Sequence, residues 1–583
     1  MSIAGTIAAE LERLMNAGRP AQAEATVRRA LARSPRDPGL NQVMALFLLR
    51  TGRPQQAVFF AERAAAGAPD AAELRYTLGL SLTNTPRRAE AVAALRRAAE
   101  LDPSQVRFHN ALAQVLLSLG DTEPAEAALS RARQLAPDDT TALCLLARLY
   151  NETGRAEESV VMLTEAIRRL GDSRDLLAFL CTSLNYSARA TPGEIFAAHA
   201  RLGATALAAP AAVLPDEPRA DGPLRVGLLG GDFRQHSVAY FLEPLLESRD
   251  RAAFHVTIYN QNDSEDAVTG RFQSLADAWH TVTQFSDAEL FTRIRSDRID
   301  VLMDLLGVLD TSRFDLLARR PAPVQVAYLA YPNTCGLRAV GHRIVDALTD
   351  PPGSEPLATE SLERMPTGCF LCYRPDPRAP DVRPRPPQTP VTFASFNNTA
   401  KISSRTVELW AAVLRAAPGS DLLLKATHLH HPPVQRALAA RFAAHGIDPG
   451  RLRFAGRTED VPEHLALYQQ ADIALDTFPY HGTTTTCEAL WMGLPVVSLT
   501  GDRHAARVGL SLLTAIGRPE WACADDAAFV RTAVGLSSDR AVLAAHRAEL
   551  CDRVRRSVLC DAPRQSRAFF DLLASLRGRG TRR

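Results

Sequence analysis

No uncharged apolar run in the 583-residue chain approaches the roughly 18 residues that a membrane span needs, so a bilayer-embedded protein is not expected. Charge of one sign is not in excess either. With 67 basic and 65 acidic residues the net charge is +2, which offers no global field to gather nucleic acid or an anionic membrane. Any recognition must be local. Cysteine is sparse: of nine, the one close pair, Cys369 and Cys372 in "CFLCY", has no second pair to complete a zinc site or a disulfide framework. Reduced, mostly buried thiols are expected. The opening "MSIAGTIAAELERLMN" has acidic residues early and no cationic start before an apolar core, so no secretory signal is read there and the expected location is cytoplasmic. What is present, 46% hydrophobic and 23% charged residues, is the composition of a folded protein, and this length should divide into three or four domains.

The N-terminal third repeats itself. Pro35, Pro69, Pro103 and Pro137 are 34 residues apart, and Ala30, Ala64, Ala98, Ala132 and Ala166 keep the same step. So do Gly18, Gly52, Gly120 and Gly154, with Pro86 in the place between. A unit of helix, turn and helix with alanines at close crossings and proline at its end resembles the tetratricopeptide repeat. Segments such as "AEATVRRALARSP" present one apolar stripe that a single hairpin cannot bury, so stacking must bury it. About five units reach residue 171, followed by "DSRDLLAFLCTSLNYSA" as a terminal helix region and "TPGEIFAAHARLGATAL" as a helix capped by Thr191. Such an array binds peptides or partner proteins in its groove, or serves only rigidity and dimerisation.

After the proline-rich linker "LPDEPRADGP" the pattern changes at "LRVGLLGGDF", an apolar strand ending in a glycine pair, as a doubly wound α/β domain begins. "FHVTIYN", "IDVLMDLLG" and "PVQVAYLAYP" read as further strands, with helical stretches such as "DAELFTRIRSDR" between them. A second proline cluster over 374–390 precedes "VTFASFNN", "SDLLLKAT", "RLRFAG", "ADIALDTF" and "LPVVSLT", a second α/β unit. Two units in tandem suggest a cleft lined by loops at the carboxyl ends of strands.

Three constellations could carry chemistry. In "IALDTFPYHGTTTTCEALWMG" a strand, a loop and a helix beginning at the threonines follow one another. A helix N-terminus offers unpaired N–H groups and partial positive charge, which suit a diphosphate. Thr483, Thr484 and Thr485 are the candidate phosphate contacts, and Glu488, a turn later, could accept from ribose hydroxyls. The bland alternative is a threonine cap with no ligand. The segment has no Walker lysine and no second acidic pair for a metal. In "FASFNNTAKISS", Lys401 precedes a helix that Ser403 or Ser404 could cap, placed to neutralise a departing diphosphate without a metal, or merely exposed. In "GGDFRQHSVAYFLEP", Asp232 and His236 follow the first strand; the histidine could touch a sugar or an acceptor hydroxyl, or be packed or solvated.

Together with "RPAPVQVAYLAYPNTCGL", "DALTDPP", "CFLCY" and "HAARVGLSLLTAIG", these segments resemble the O-GlcNAc transferase and SPINDLY family of protein O-glycosyltransferases, glycosyltransferase family 41, and its bacterial members. The resemblance covers nearly the whole chain. It implies an α-solenoid of tetratricopeptide repeats followed by an α/β GT-B glycosyltransferase of two Rossmann-like lobes. The expected layout is 1–190 for the repeats, 191–222 for a connecting helix and linker, 223–388 and 389–560 for the two lobes, and 561–583 for a closing helix and basic tail. It further implies inverting, metal-independent transfer from UDP-GlcNAc or GDP-fucose to Ser/Thr hydroxyls of proteins, with no cofactor. By that resemblance Lys401 contacts the donor diphosphate and Thr483 to Thr485 wrap it. Glu488 contacts ribose, His464 lies beside the base, Asn398 joins the donor contacts, and His236 is an active-site histidine. Animal members read His-Thr-Thr where this chain has Thr483, and carry a lysine at the place of Val461. Both branches usually have His or Tyr at Val308. Tyr468, "FNNTAKI" and "RHAARVG" are closer to the SPINDLY branch, whose donor is GDP-fucose, while bacterial relatives of both kinds share such features.

The implied partners are protein acceptors held by the repeats and a nucleotide sugar, with homodimerisation through the repeats as a further expectation. Two other readings compete: a repeat scaffold with a non-catalytic nucleotide-binding region, and a transferase acting on small molecules or glycans. "HLHH", with His428, His430 and His431, reads as a solvated loop and not a metal site, and the basic tail "RGRGTRR" as disordered.

Overall fold

A computed structural model describes residues 2–206, 222–308, 312–386 and 388–577. The linker as far as residue 221 and the tail beyond Arg577 lie outside the described residues. The chain divides into two units, Met1–Leu149 and Tyr150–Arg583.

In the first unit, helices Ile3–Asn16, Pro20–Arg33, Pro38–Arg50, Pro54–Gly67, Ala72–Thr83, Arg88–Leu101, Val106–Leu119 and Thr122–Leu135 follow one another, and another opens at Thr140. Pro20, Pro38 and Pro54 each start a helix, where the N–H they lack would have been unpaired anyway. Gly18, Gly52 and Gly120 turn the chain with φ of 70°, 71° and 81°, a region that costs any residue with a Cβ. The periodic alanines are the crossing points: Ala64, Ala98 and Ala132 are fully buried. A second series at the same step, Ala23, Ala57, Ala91 and Ala125, is equally buried. Small side chains recur because they let neighbouring helices approach.

The second unit begins with helices Ala156–Leu170, Arg174–Tyr186 and Pro192–Ala204. Thr191 caps the last of these in a full capping box with Glu194. This helix lies backbone to backbone against a loop of the first α/β lobe. A Cβ on Gly203 would stand 1.9 Å from the Gly336 carbonyl oxygen, so only glycine fits. The Tyr331 hydroxyl joins the same surfaces, 2.6 Å from His199 Nε2 and accepting from Asn185 Nδ2 at 2.7 Å.

The first lobe holds seven strands: β1 (Leu224–Gly230), β2 (Phe254–Asn260), β3 (Ala278–Thr281), β4 (Val301–Asp304), β5 (Val324–Ala327), β6 (His342–Val345) and β7 (Ser361–Arg364), in the order 3-2-1-4-5-6-7. The second holds β8 (Thr392–Ser395), β9 (Asp421–Lys425), β10 (Leu452–Ala455), β11 (Ile473–Leu475), β12 (Val496–Leu499) and β13 (Ala522–Cys523), in the order 10-9-8-11-12-13. Every described pairing is parallel. Both lobes are therefore doubly wound, with crevices where the strand order reverses beside β1 and β8. Strands with strong apolar runs were legible in sequence. The short β3 ("AWHT"), β6 ("HRIV") and β7 ("SLER") were not, because polar residues break their pattern, and β13 ("AC") is only two residues long.

One apolar core runs through both lobes, and "CFLCY" lies in it, with Cys369 through Tyr373 all buried. Both cysteines of that segment are free thiols, as are the other seven, and burial pushes Cys369 up to about 12. Helix Ala562–Arg577 returns to the first lobe, with Phe569 on Tyr328 and Phe570 on Phe254 at ring distances of 5.1 and 4.9 Å. Among the described residues no helix is long and apolar enough to cross a membrane.

Candidate active site

The second lobe supplies the positive side of the site. Asn398 accepts from Ala400 N–H at 3.0 Å and so caps the short turn Thr399–Lys401, which presents Lys401 at the carboxyl end of β8. Ser403, not Ser404, caps the helix that follows, accepting from Thr406 N–H. Lys401 Nζ donates to the His481 carbonyl at 2.8 Å and stands 4.1 Å over the Tyr480 ring. Burial lowers the ammonium to about 8, against the opposing pull of Asp476. Tyr480 in turn stacks on Tyr186 of helix Arg174–Tyr186 at 5.2 Å, so a helix of the repeat type backs the lysine's platform.

The threonine-rich loop is folded by Asp476, whose Oδ1 accepts from Thr477 and Gly482 N–H at 2.9 and 2.8 Å. His481 is buried and fixed. Gly509 N–H donates to its Nδ1 at 3.0 Å, so the ring proton sits on Nε2, which donates to the Leu499 carbonyl at 2.9 Å. Helix Thr484–Trp491 then begins, and the side chain of Thr483 at its cap position makes no capping bond. The first-turn N–H groups accordingly have no partner within the helix. Thr485 Oγ1 donates to Asn397 Oδ1 at 2.9 Å, joining the loop to the end of β8. Gly482 must be glycine, since a Cβ there would stand 2.5 Å from Thr485 Oγ1 and 2.7 Å from Thr486 Oγ1.

In the first lobe, Asp232 and His236 occupy the loop after β1, with Nδ1 3.5 Å from Asp232 Oδ2. Val238 N–H donates to the same Nδ1 at 3.4 Å. Burial lowers the imidazole, with Asp232 opposing.

A cavity of about 350 Å³ is lined by Asp232 and His236 of one lobe and by Asn397, Asn398, Lys401, Tyr480 and Thr483 to Thr485 of the other. Seven of the nine residues singled out in sequence thus meet. The other two, His464 and Glu488, stand outside that lining and pair with each other: His464 Nε2 lies 3.0 Å from Glu488 Oε2, which also accepts from the Tyr468 hydroxyl at 3.3 Å. Phe396 stacks on Tyr468 at 4.1 Å, giving this layer an aromatic face. Val308 is buried and is not part of the lining. Among the described residues no group of three His, Cys, Asp or Glu could hold a metal ion.

Sequence reasoning passed over Asn397, Tyr480, Lys425 and His504. A signal for one of them was present: of 67 basic residues only Lys401 and Lys425 are lysine. Lys425 ends β9, where burial lowers its ammonium and Glu488 opposes that shift. His504 lines the cavity although it lies some twenty residues beyond the threonine loop.

The comparisons agree with this architecture. A model of glycosyl transferase family 41 matches residues 193–374 and 383–568, and a tetratricopeptide-repeat model matches residues 14–80 and 87–142. The chain is 37% identical over 347 residues to SPINDLY of Arabidopsis thaliana, a probable UDP-N-acetylglucosamine–peptide N-acetylglucosaminyltransferase, covering 58% of this chain and 38% of that protein. It is 28% identical over 309 residues to SEC of the same plant, described in the same terms, covering 50% of this chain and 31% of SEC. The match therefore spans well under half the length of either plant relative. A solved structure of a mutant O-GlcNAc transferase from Thermobaculum terrenum superposes with a TM-score of 0.77 at 31% identity, covering 93% of this chain and 97% of that one. With two doubly wound lobes, a repeat array before them and a family model matched across both lobes, the chain belongs to glycosyl transferase family 41.

Proposed function

We propose that the protein transfers a sugar from a nucleoside-diphosphate sugar to serine or threonine hydroxyls of other proteins, inverting the anomeric carbon and using no metal ion. The observation that carries this reading is one cavity bordered by Lys401 and the opening turn of helix Thr484–Trp491 together with Asp232 and His236. When the bond between the anomeric carbon and the diphosphate breaks, negative charge grows on the leaving oxygen. Lys401 and unpaired N–H groups at a helix N-terminus are already aimed where that charge would develop, which favours the transition state over the ground state. Thr483 to Thr485 add hydroxyl donors, Asn398 holds the lysine's turn, and Glu488 with His464 receives the nucleoside. His236 contacts the sugar or the acceptor, and the repeats recruit the acceptor protein.

Two donors fit. UDP-GlcNAc is the substrate in the names of both plant relatives, and GDP-fucose is implied by the resemblance to the SPINDLY branch. Incubating the protein with each labelled donor and a cell lysate tests the reading. Label entering protein from one donor supports it, whereas nucleotide binding with no transfer from either would leave only a scaffold. Thermal unfolding with UDP, GDP and their sugars separates the donors, because a ligand at 100 times its Kd stabilises the native state by about 2.7 kcal/mol.

A further inference from the structure

His504 is buried at the seam of the two lobes and lines the same cavity as Lys401 and His236. It sits in the turn after β12, yet its partners come from the other lobe. Its Nδ1 lies 2.5 Å from Asp350 Oδ2, and its ring meets the Phe370 ring edge-on at 5.2 Å. Asp350 is itself held as a carboxylate. Burial pushes it up, but His504 and Arg343 outweigh that and keep it well below the usual range, with Arg343 Nη1 3.6 Å from Oδ1. An ionised acceptor at Nδ1 places the neutral ring's proton on that nitrogen, so Nε2 carries a lone pair. Among the described residues no protein group hydrogen-bonds Nε2.

His236 has no such carboxylate partner. Its Nδ1 lies 3.4 Å from the Val238 nitrogen and 3.5 Å from Asp232 Oδ2, both longer than a good hydrogen bond. Neither contact fixes which ring nitrogen carries the proton. A base oriented by a buried carboxylate is the arrangement that general-base catalysis requires, and here it belongs to His504.

We propose that His504, oriented by Asp350, is the general base that takes the proton of the acceptor hydroxyl. The proposal rests on the transferase reading above. In the step, the acceptor oxygen bonds to the anomeric carbon while its proton passes to His504 Nε2. The bond from that carbon to the diphosphate breaks, and its electron pair leaves with the nucleotide. Asp350 stabilises the imidazolium, which then returns its proton to solvent. The titratable groups around it are Asp350 and Arg343 from the first lobe, Asp502, Arg503 and Arg507 on its own turn, and Lys401, Asp232 and His236 in the lining of the cavity.

The test compares wild type with His504→Gln, Asp350→Asn and His236→Gln, measuring initial rates of labelled-sugar transfer into lysate protein over a range of donor concentration and of pH. Nucleotide-induced thermal stabilisation reports folding and donor binding. The expected result is a fall of about 10²- to 10⁴-fold in maximal rate for His504→Gln. Donor KM and nucleotide stabilisation should be unchanged, and the acidic limb of the wild-type rate profile should be lost. Asp350→Asn should fall less and keep that limb at lower pH, while His236→Gln should keep it in place. A His504→Gln rate within threefold of wild type, or a loss carried by donor KM, would overturn the assignment. If His504→Gln shows no nucleotide stabilisation, Asp350→Asn decides: an unmoved acidic limb counts against the proposal. Wild type that transfers from neither donor would instead refute the transferase reading.

Discussion

In the first lobe the loop after the fourth strand closes within three residues: Asp304 Oδ1 accepts from Leu306 N–H at 3.2 Å and Oδ2 from Gly307 N–H at 3.0 Å. In the second lobe the counterpart, Asp476, gathers the N–H groups of Thr477 and Gly482, closing a longer loop that ends at a helix N-terminus. The strand orders match over six strands, and a buried aspartate stands at the same point of each sheet. What differs is loop length and company. Asp304 has no cation among its influences, and burial raises it to about 6. Asp476 helps keep Lys401 charged and bonds the Ser498 hydroxyl at 2.8 Å. The same topology can thus hold a short loop closed by an aspartate that burial disfavours or a longer loop that faces a lysine, and the chemistry follows from what the loops carry.

Replacing the cation should break this contrast most completely. Lys401→Ala is expected to lower transfer by on the order of 10²- to 10³-fold with the fold intact, as loss of a preorganised electrostatic donor does. Kinetics alongside thermal unfolding check this, and near wild-type turnover would remove the lysine from the mechanism. Gly482→Ala should come next. Its Cβ would press on Thr485 and Thr486, so nucleotide-induced stabilisation should shrink severalfold, read by titrating UDP or GDP.

The pH dependence sharpens the comparison further. As pH rises through about 8, Lys401 loses its proton in the free protein, and nucleotide-induced stabilisation should decline. Without nucleotide the trend reverses. Between about 8 and 10.5 the unfolded chain still holds the proton that the folded state has released, so stability contributed by this group rises with pH. Unfolding curves across that range with and without nucleotide measure both. The smallest effect is expected in the first lobe: Asp304→Asn removes a carboxylate that burial disfavours, and should change stability by only about 1 kcal/mol. Asp476→Asn should cost distinctly more stability and weaken nucleotide binding. Equal effects in denaturant titration would erase the distinction between the lobes.

Much of this was legible in the chain. The 34-residue step in proline, alanine and glycine foretold the helical pairs, since each repeated residue answers a local demand: a helix stop, a close crossing, a left-handed turn. The strands flanking Lys401 and the threonines were equally visible, because apolar runs between polar loops need no tertiary information. Thr483 to Thr485 were recognisable from their place at the start of a helix, whereas Asn398 entered only through the family resemblance.

The rest depended on distant segments meeting. Asp350 and His504 are 154 residues apart, and nothing near either one marks it as half of a pair. Tyr480 becomes a platform for Lys401 only because Tyr186, nearly three hundred residues earlier, is brought against it. Glu488 and His464 looked like separate contacts to a ligand until the fold showed one accepting from the other. The sequence by itself determined the repeats, the two doubly wound lobes and the residue types at the mouth of the cleft, because local periodicity and helix-end chemistry are written in neighbouring positions. Tertiary structure alone decided that the neutral His504 ring carries its lone pair on Nε2. That property depends on which group stands at the other ring nitrogen, and for His504 that group is an aspartate from the opposite lobe.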